Sequence, residues 1–309
     1  MNTLTAKTLK GNWATLLLPI QAYQTIDFGL LADEIDYLIN AKVDGIYSNG
    51  TAGEFHNQTE AEFDQINLLF AEKCQKASMP FQIGCSHPSP VISLERIKRS
   101  VSLKPSAFQV ILPDWVVPCD AEQIDFLQGI ANYANGIPLV LYNPPHAKLE
   151  LKPKDYLKFK TTVPSLIGLK VLSKDAGWTE EMKMYAGHLS IFVPGHFLAS
   201  GVRAGIAAGA YSNIACINPS VAQHLWELMQ TDLDEALRIE KNILEFFKMC
   251  IAPYQKQQYS NPALDKFLAA VGGCIQIPTR LRWPYKWISE SDVTSVRKQA
   301  KLLIPEFFN

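Results

Sequence analysis

The sequence predicts a (β/α)8 barrel with a C-terminal helical subdomain, and three observations carry the prediction. Strand-length apolar runs alternate with helix-length runs eight times within about 230 residues. The strand runs are continuously apolar, the pattern of parallel strands covered by helices. Beyond residue 231 the strand-like runs stop while helical periodicity continues. A doubly wound open sheet is the competing arrangement, but no GxGxxG follows the first strand and the repeat count is eight.

Taken in order, Thr15–Ile20 is a leucine-rich apolar run of strand length, and Phe28–Lys42, apolar every three to four residues, is an amphipathic helix. Val43–Ser48 is the second strand and Thr59–Ala77 the next helix. The alternation continues with strand Phe81–Cys85 and helix Val91–Leu103, then strand Ala107–Leu112 and helix Ala121–Ala134. Strand Leu139–Tyr142 precedes helix Pro153–Thr161, and strand Leu166–Val171 precedes helix Trp178–Tyr185. Strand Leu189–Val193 leads to helix Phe197–Ile206, and a weaker strand, Ala207–Tyr211, leads to helix Pro219–Met229. Leu233–Cys250, Pro262–Gly272 and Glu290–Leu303 read as helices only. The barrel is therefore expected over residues 1–231 and the helical subdomain over 232–309. No Ser/Gly-rich linker separates them, so the tail should dock on the barrel.

Composition narrows the function. The 309 residues are 48% hydrophobic and 19% charged, with 29 Lys+Arg against 30 Asp+Glu and a formal net charge of −1. Neutralising a phosphate backbone needs a surplus of Lys and Arg on one face, so nucleic acid is not an expected partner. No run of ~18 apolar residues exists to span a membrane. Met1 to Lys10 is polar, without the apolar core of a secretory signal, and the expected location is cytoplasmic. The cysteines Cys74, Cys85, Cys119, Cys216, Cys250 and Cys274 form no CxxC or Cys/His cluster. They read as isolated thiols, and no metal site is expected.

In a (β/α)8 barrel chemistry sits at the C-terminal ends of the strands. A lysine within the run Leu166-Ile167-Gly168-Leu169-Lys170-Val171-Leu172 either faces the barrel mouth or is buried at a large desolvation cost. Burial favours the neutral amine, which is what a Schiff-base nucleophile must be. The plainer reading is a lysine that snorkels out at a strand end or pairs with a carboxylate. The turn Gly50-Thr51-Ala52-Gly53 offers free backbone N–H groups and a hydroxyl for a carboxylate, or is an ordinary connecting loop. Glu54 reads as a structural hydrogen-bonding residue. Tyr142 is either a proton relay or a core tyrosine, and Asn143-Pro144-Pro145 after it fixes the chain as it leaves the strand.

Gly50-Thr51-Ala52-Gly53-Glu54, Tyr142-Asn143-Pro144-Pro145 and Gly168-Leu169-Lys170, on the second, fifth and sixth strands, resemble the dihydrodipicolinate synthase and N-acetylneuraminate lyase family over nearly the whole chain. The resemblance implies a class I aldolase: an imine between a lysine and a 2-oxo acid such as pyruvate, with no metal or organic cofactor. It places the imine on Lys170, the proton relay on Tyr142 and the first loop hydroxyl on Thr51. Ala52 takes the second hydroxyl position, leaving its backbone N–H beside that of Gly50 and Thr51 for the carboxylate. It also implies a homo-oligomer, a dimer or tetramer.

The chain departs from the family at the second substrate. Ala147 stands where the synthases place an arginine, and Lys148, one residue on, is not an equivalent fork. Trp115 stands where they place a relay tyrosine, and an indole has no hydroxyl. Gly195-His196 replaces the acidic pair with which the lyases bind a polyol. Ser86, His87, Asp114, Trp115, His146, Ser173 and His196 remain to define a different second substrate. The expected function is a Schiff-base lyase making or breaking a carbon–carbon bond next to a 2-oxo acid. The alternatives are a dehydratase of a 2-oxo-3-deoxy sugar acid, using the same imine, and a barrel that binds without turnover.

Overall fold

The computed structural model describes residues 4–308. Eight parallel strands close into a barrel in sequential order: β1 (Gly11–Thr15), β2 (Gly45–Ser48), β3 (Phe81–Gly84), β4 (Ala107–Val110), β5 (Leu139–Tyr142), β6 (Leu166–Lys170), β7 (Ser190–Pro194) and β8 (Gly209–Ser212), which pairs back onto β1. Between and after them run α1 (Phe28–Asn40), α2 (Glu60–Lys76), α3 (Pro90–Ser100), α4 (Asp120–Tyr133), α5 (Pro153–Thr162), α6 (Ala176–Ala186), α7 (Leu198–Arg203) and α8 (Pro219–Thr231). Four more helices follow: α9 (Leu233–Phe246), α10 (Ala252–Lys256), α11 (Asn261–Gly272) and α12 (Glu290–Leu303). The fold class is the one the alternation predicts. Among the described residues no helix is long and apolar enough to cross a membrane.

The first strand lies earlier than its apolar run. Gly11–Thr15 pairs with β2 and β8, whereas Leu17, in the run expected to be the strand, gives its N–H to the Glu34 carboxylate of α1 at 2.8 Å. Leu16, Leu17, Leu18 and Ile20 are buried in the core all the same. An apolar run reports burial, and burial does not require strand pairing. Two helices also end differently from their patterns. The chain after β7 forms a 3-10 turn at Gly195–Phe197 before the short α7, and α9 gives way at Phe247 to a π-helical turn over Phe247–Ile251.

Side chains fill the barrel interior and leave chemistry to its mouth. Leu9, Trp13, Tyr47, Ala107, Val140, Ile167, Phe192 and Tyr211 form one buried cluster. Its aromatic members meet edge-on or tilted, with 4.8 Å between the Tyr47 and Tyr211 centroids and 4.6 Å between those of Phe192 and Tyr211. Strand β6 carries one extra residue against β5: Leu139 pairs with Leu166 but Val140 with Gly168, which leaves Ile167 unmatched. Beyond that irregularity Tyr142 stands opposite Lys170. A one-residue shift in a strand sends every later side chain to the other face, so this irregularity helps decide where Lys170 points.

Helix α11 is locked to the barrel by a buried ion pair. Lys266 and Glu54 are both almost wholly buried, with 2.5 Å between Nζ and Oε1, and Lys266 also donates to the Arg280 carbonyl at 2.8 Å. Glu54 is thus the structural residue expected from sequence. Its backbone takes a left-handed φ of 52°, costly for a side-chain-bearing residue, at the close of the Gly50–Gly53 turn. At the other end of α11, Gly272 permits close approach to the turn after β8, since a Cβ there would lie 1.9 Å from the Ile217 carbonyl oxygen. Breaking a buried pair strands a charge, so Lys266→Met is expected to lower stability by about 3–5 kcal/mol. Urea unfolding measures this, and a loss below about 1 kcal/mol would show that the pair does not anchor the helix.

Candidate active site

A cavity of about 290 Å³ opens at the C-terminal mouth of the barrel. Lys170 reaches it from the end of β6, Tyr47 from β2, Tyr142 from β5 and Tyr211 from β8. The Lys170 Nζ lies 4.4, 4.7 and 5.2 Å from the ring centroids of Tyr142, Tyr47 and Tyr211, and it donates to the Tyr47 hydroxyl at 3.4 Å. Aromatic faces attract an ammonium but do not replace its lost hydration. Burial pulls the Lys170 pKa down to about 8, with the nearby Asp265 carboxylate pulling the other way. A useful fraction of neutral amine is therefore present near neutral pH.

Beside it, the Thr51 hydroxyl donates to the Tyr142 hydroxyl at 3.4 Å. Burial, opposed by that bond, raises the Tyr142 pKa to about 12, so the phenol keeps its proton at neutral pH and is available as a donor. Thr51 and Ala52 line the cavity, and among the described residues no acceptor takes their backbone N–H groups. Gly50 lies beneath: a Cβ there would meet the Tyr47 ring at 2.7 Å and approach the Lys170 Nζ to 3.8 Å. The glycine therefore lets loop, phenol and amine converge.

The structure brings Lys170, Tyr142, Thr51, Ala52 and His196 to this cavity. His196 stacks on Phe247 of the π-helical turn, with 4.6 Å between centroids, and its Nδ1 lies 2.8 Å from the Asn213 amide nitrogen. Burial lowers its pKa, so the ring is neutral at physiological pH. Trp115 and His146 line a neighbouring cavity of about 310 Å³ that shares Thr51 and Tyr142 with the first. There Trp115 is 79% exposed, and Lys148 donates to its carbonyl at 2.9 Å while lying over its ring. Ser173 lines neither cavity; it sits on the loop after β6, and its hydroxyl is buried with no hydrogen-bond partner among the described residues.

Sequence reasoning passed over Tyr47, Asn213, Phe247 and Asp265, all of which line the first cavity. Tyr47 was legible as the polar-tipped residue near the end of the second strand. Asp265 had a signal too: Asp265-Lys266 is a charged pair inside the otherwise apolar stretch Pro262–Ala270. Lys266 turns to Glu54, while Asp265 faces the cavity, makes no hydrogen bond among the described residues, and has its pKa raised by burial to about 7. No group of three or more His, Cys, Asp or Glu able to hold a metal occurs among the described residues.

The model of the dihydrodipicolinate synthetase family matches residues 8–303. The N-acetylneuraminate lyase of Salmonella paratyphi B is 24% identical over 295 residues, covering 88% of this chain and 97% of that protein. Among solved structures, a prophage protein of Escherichia coli K12 in the dihydrodipicolinic acid synthase family, crystallised with pyruvate, superposes with a TM-score of 0.84 at 20% identity, covering 96% of this chain and 98% of that one. A catalytic-lysine mutant of the sialic acid aldolase from Ruminococcus gnavus also gives 0.84, at 19% identity, over 100% of this chain and 99% of the other.

Proposed function

The chain belongs to the dihydrodipicolinate synthetase family, whose members are class I aldolase lyases, and from that premise we propose that Lys170 forms the imine on pyruvate or another 2-oxo acid. The observation that carries this reading is a half-buried lysine at the barrel mouth whose amine is ringed by three tyrosines, with its pKa pulled down to about 8 by desolvation. The neutral Lys170 amine adds to the keto carbon and water leaves, giving an iminium that draws electrons from the adjacent carbon. In the cleavage direction the carbon–carbon bond beyond that carbon breaks. Its electron pair forms the enamine, and the proton of the departing hydroxyl passes to a relay containing Tyr142 and Thr51. Protonation of the enamine and hydrolysis of the imine then release the 2-oxo acid and restore Lys170. The free N–H groups of Thr51 and Ala52 hold the substrate carboxylate, and the covalent imine replaces any external cofactor.

The second substrate extends from Lys170 toward His196 and toward the adjoining cavity of Trp115 and His146, with Ser173 on the next loop. Residues 232–309, taken as a subdomain packed on the barrel, supply one wall through Phe247, Ile251 and Asp265. The working form is a homo-oligomer, a dimer or tetramer, with the exposed apolar run Trp115-Val116-Val117 as a contact.

A panel of 2-oxo-3-deoxy sugar acids, and of aldehydes offered with pyruvate, tests the reading. Pyruvate release or condensation is expected for at least one. Loss of water without carbon–carbon cleavage would make the enzyme a dehydratase, and no reaction across the panel would favour a binding barrel. Two substrates are expected to be poor: aspartate semialdehyde with pyruvate, and N-acetylneuraminate. Without a guanidinium at Ala147, a substrate carboxylate loses a charge-assisted contact of about 1.5–3 kcal/mol. Gly195-His196 offers no carboxylate pair to a polyol. A kcat/KM near about 10⁵ M⁻¹s⁻¹ for either substrate contradicts this expectation.

A further inference from the structure

We propose that Asp265 is an acid–base residue of this site: its carboxylate takes the proton of the Lys170 ammonium to release the nucleophile, and the resulting carboxyl returns that proton to the hydroxyl that leaves as water when the imine forms. The inference rests on the imine chemistry assigned to Lys170 and adds a residue that the Tyr142–Thr51 relay does not contain. Asp265, on α11, lines the same cavity as Lys170 and is partly open. It makes no hydrogen bond among the described residues, so its carboxylate is free to exchange a proton within the cavity. Its neighbour Lys266 is committed to Glu54 and the Arg280 carbonyl, so Lys170 is the cation left to it. The ion pair that locks α11 thus holds Asp265 on the cavity wall, beyond ion-pair distance of the Lys170 amine, and a water or the substrate's own hydroxyl between them carries the proton.

The groups around it leave it this role. Its charge reaches Lys170, Tyr47, Tyr142 and Cys216, and burial drives the last three upward, so none of them is ionised at neutral pH. Lys170 and Asp265 titrate near 8 and 7, close enough for one proton to be exchanged between them at little cost. The proton count closes. Ammonium, carboxylate and ketone become iminium, carboxylate and water, with the carboxyl as the intermediate carrier. The singly protonated pair has no net charge and so does not repel the keto acid's own carboxylate.

The working state needs one proton on the pair: with two there is no free amine, and with none there is no acid to expel water. The rate of borohydride-trapped adduct formation with pyruvate in the wild-type enzyme is therefore expected to be bell-shaped, falling below about 7 and above about 8. Asp265→Asn is expected to lower the maximum by about 10²-fold or more and leave a single limb rising with pH. Asp265→Glu should restore part of the rate and the second limb. Were Asp265 only an electrostatic neighbour, Asp265→Asn would depress the Lys170 pKa further and speed trapping below pH 8. That result, or a wild-type profile that rises to a plateau at high pH, overturns the proposal. The wild-type profile decides the matter even if the variant does not fold. Absence of any wild-type adduct with 2-oxo acids would instead overturn the imine reading on which this rests.

Discussion

Replacing Lys170 with alanine is expected to abolish turnover, by more than about 10⁴-fold, while leaving the barrel folded. The loss is large because a covalent nucleophile has no substitute: Tyr47, Tyr142 and Tyr211 are the aromatic neighbours of its amine, and none of them is an amine. Folding should survive because Lys170 ends β6 and its ladder contacts to Tyr142 and Phe192 are made by the backbone. Removing the side chain also removes an ammonium held out of water, so thermal stability should be equal or higher. Asp265 would then lose its cation, its pKa would rise further, and it would become neutral at neutral pH. Activity within tenfold of wild type in a folded Lys170→Ala protein would mean that another group does the chemistry.

Tyr142→Phe is expected to lower kcat by about 10²- to 10⁴-fold, the range for losing a positioned acid–base group. The substitution keeps the ring whose face lies 4.4 Å from the Lys170 Nζ and deletes only the hydroxyl that accepts from Thr51. The effect therefore isolates proton transfer from packing. The imine should still be trapped on Lys170, since the nucleophile is intact. Unchanged kinetics would return Tyr142 to the role of a core tyrosine.

Much of this arrangement is legible in the sequence, and what is not has physical causes. The alternation of apolar and amphipathic runs specifies the barrel, because parallel strands must be buried on both faces. The first strand is misplaced by the same logic, since the run after Leu16 is as buried as any strand, yet Leu17 bonds to Glu34 and not to a neighbouring strand. Lys170, Tyr142 and Thr51 stand out because each is a polar residue at a strand end. Asp265 is marked only as half of a charged pair in an apolar stretch, and no periodicity says which face of α11 meets the barrel; that face is set by Lys266 and Gly272 packing against loops more than 50 residues away in sequence. The same holds for Phe247, carried into the cavity by a π-helical turn that a 3.6-residue repeat does not anticipate.

The imine proposed between the Lys170 amine and a 2-oxo acid can be trapped by reduction. Incubating the wild-type protein with pyruvate and borohydride, then mapping the modified peptide by mass spectrometry, tests it most directly. The expected result is the mass of one reduced pyruvyl group per chain, located on Lys170, and no such mass when pyruvate is withheld. An unmodified protein, or an adduct on any other lysine, would contradict it.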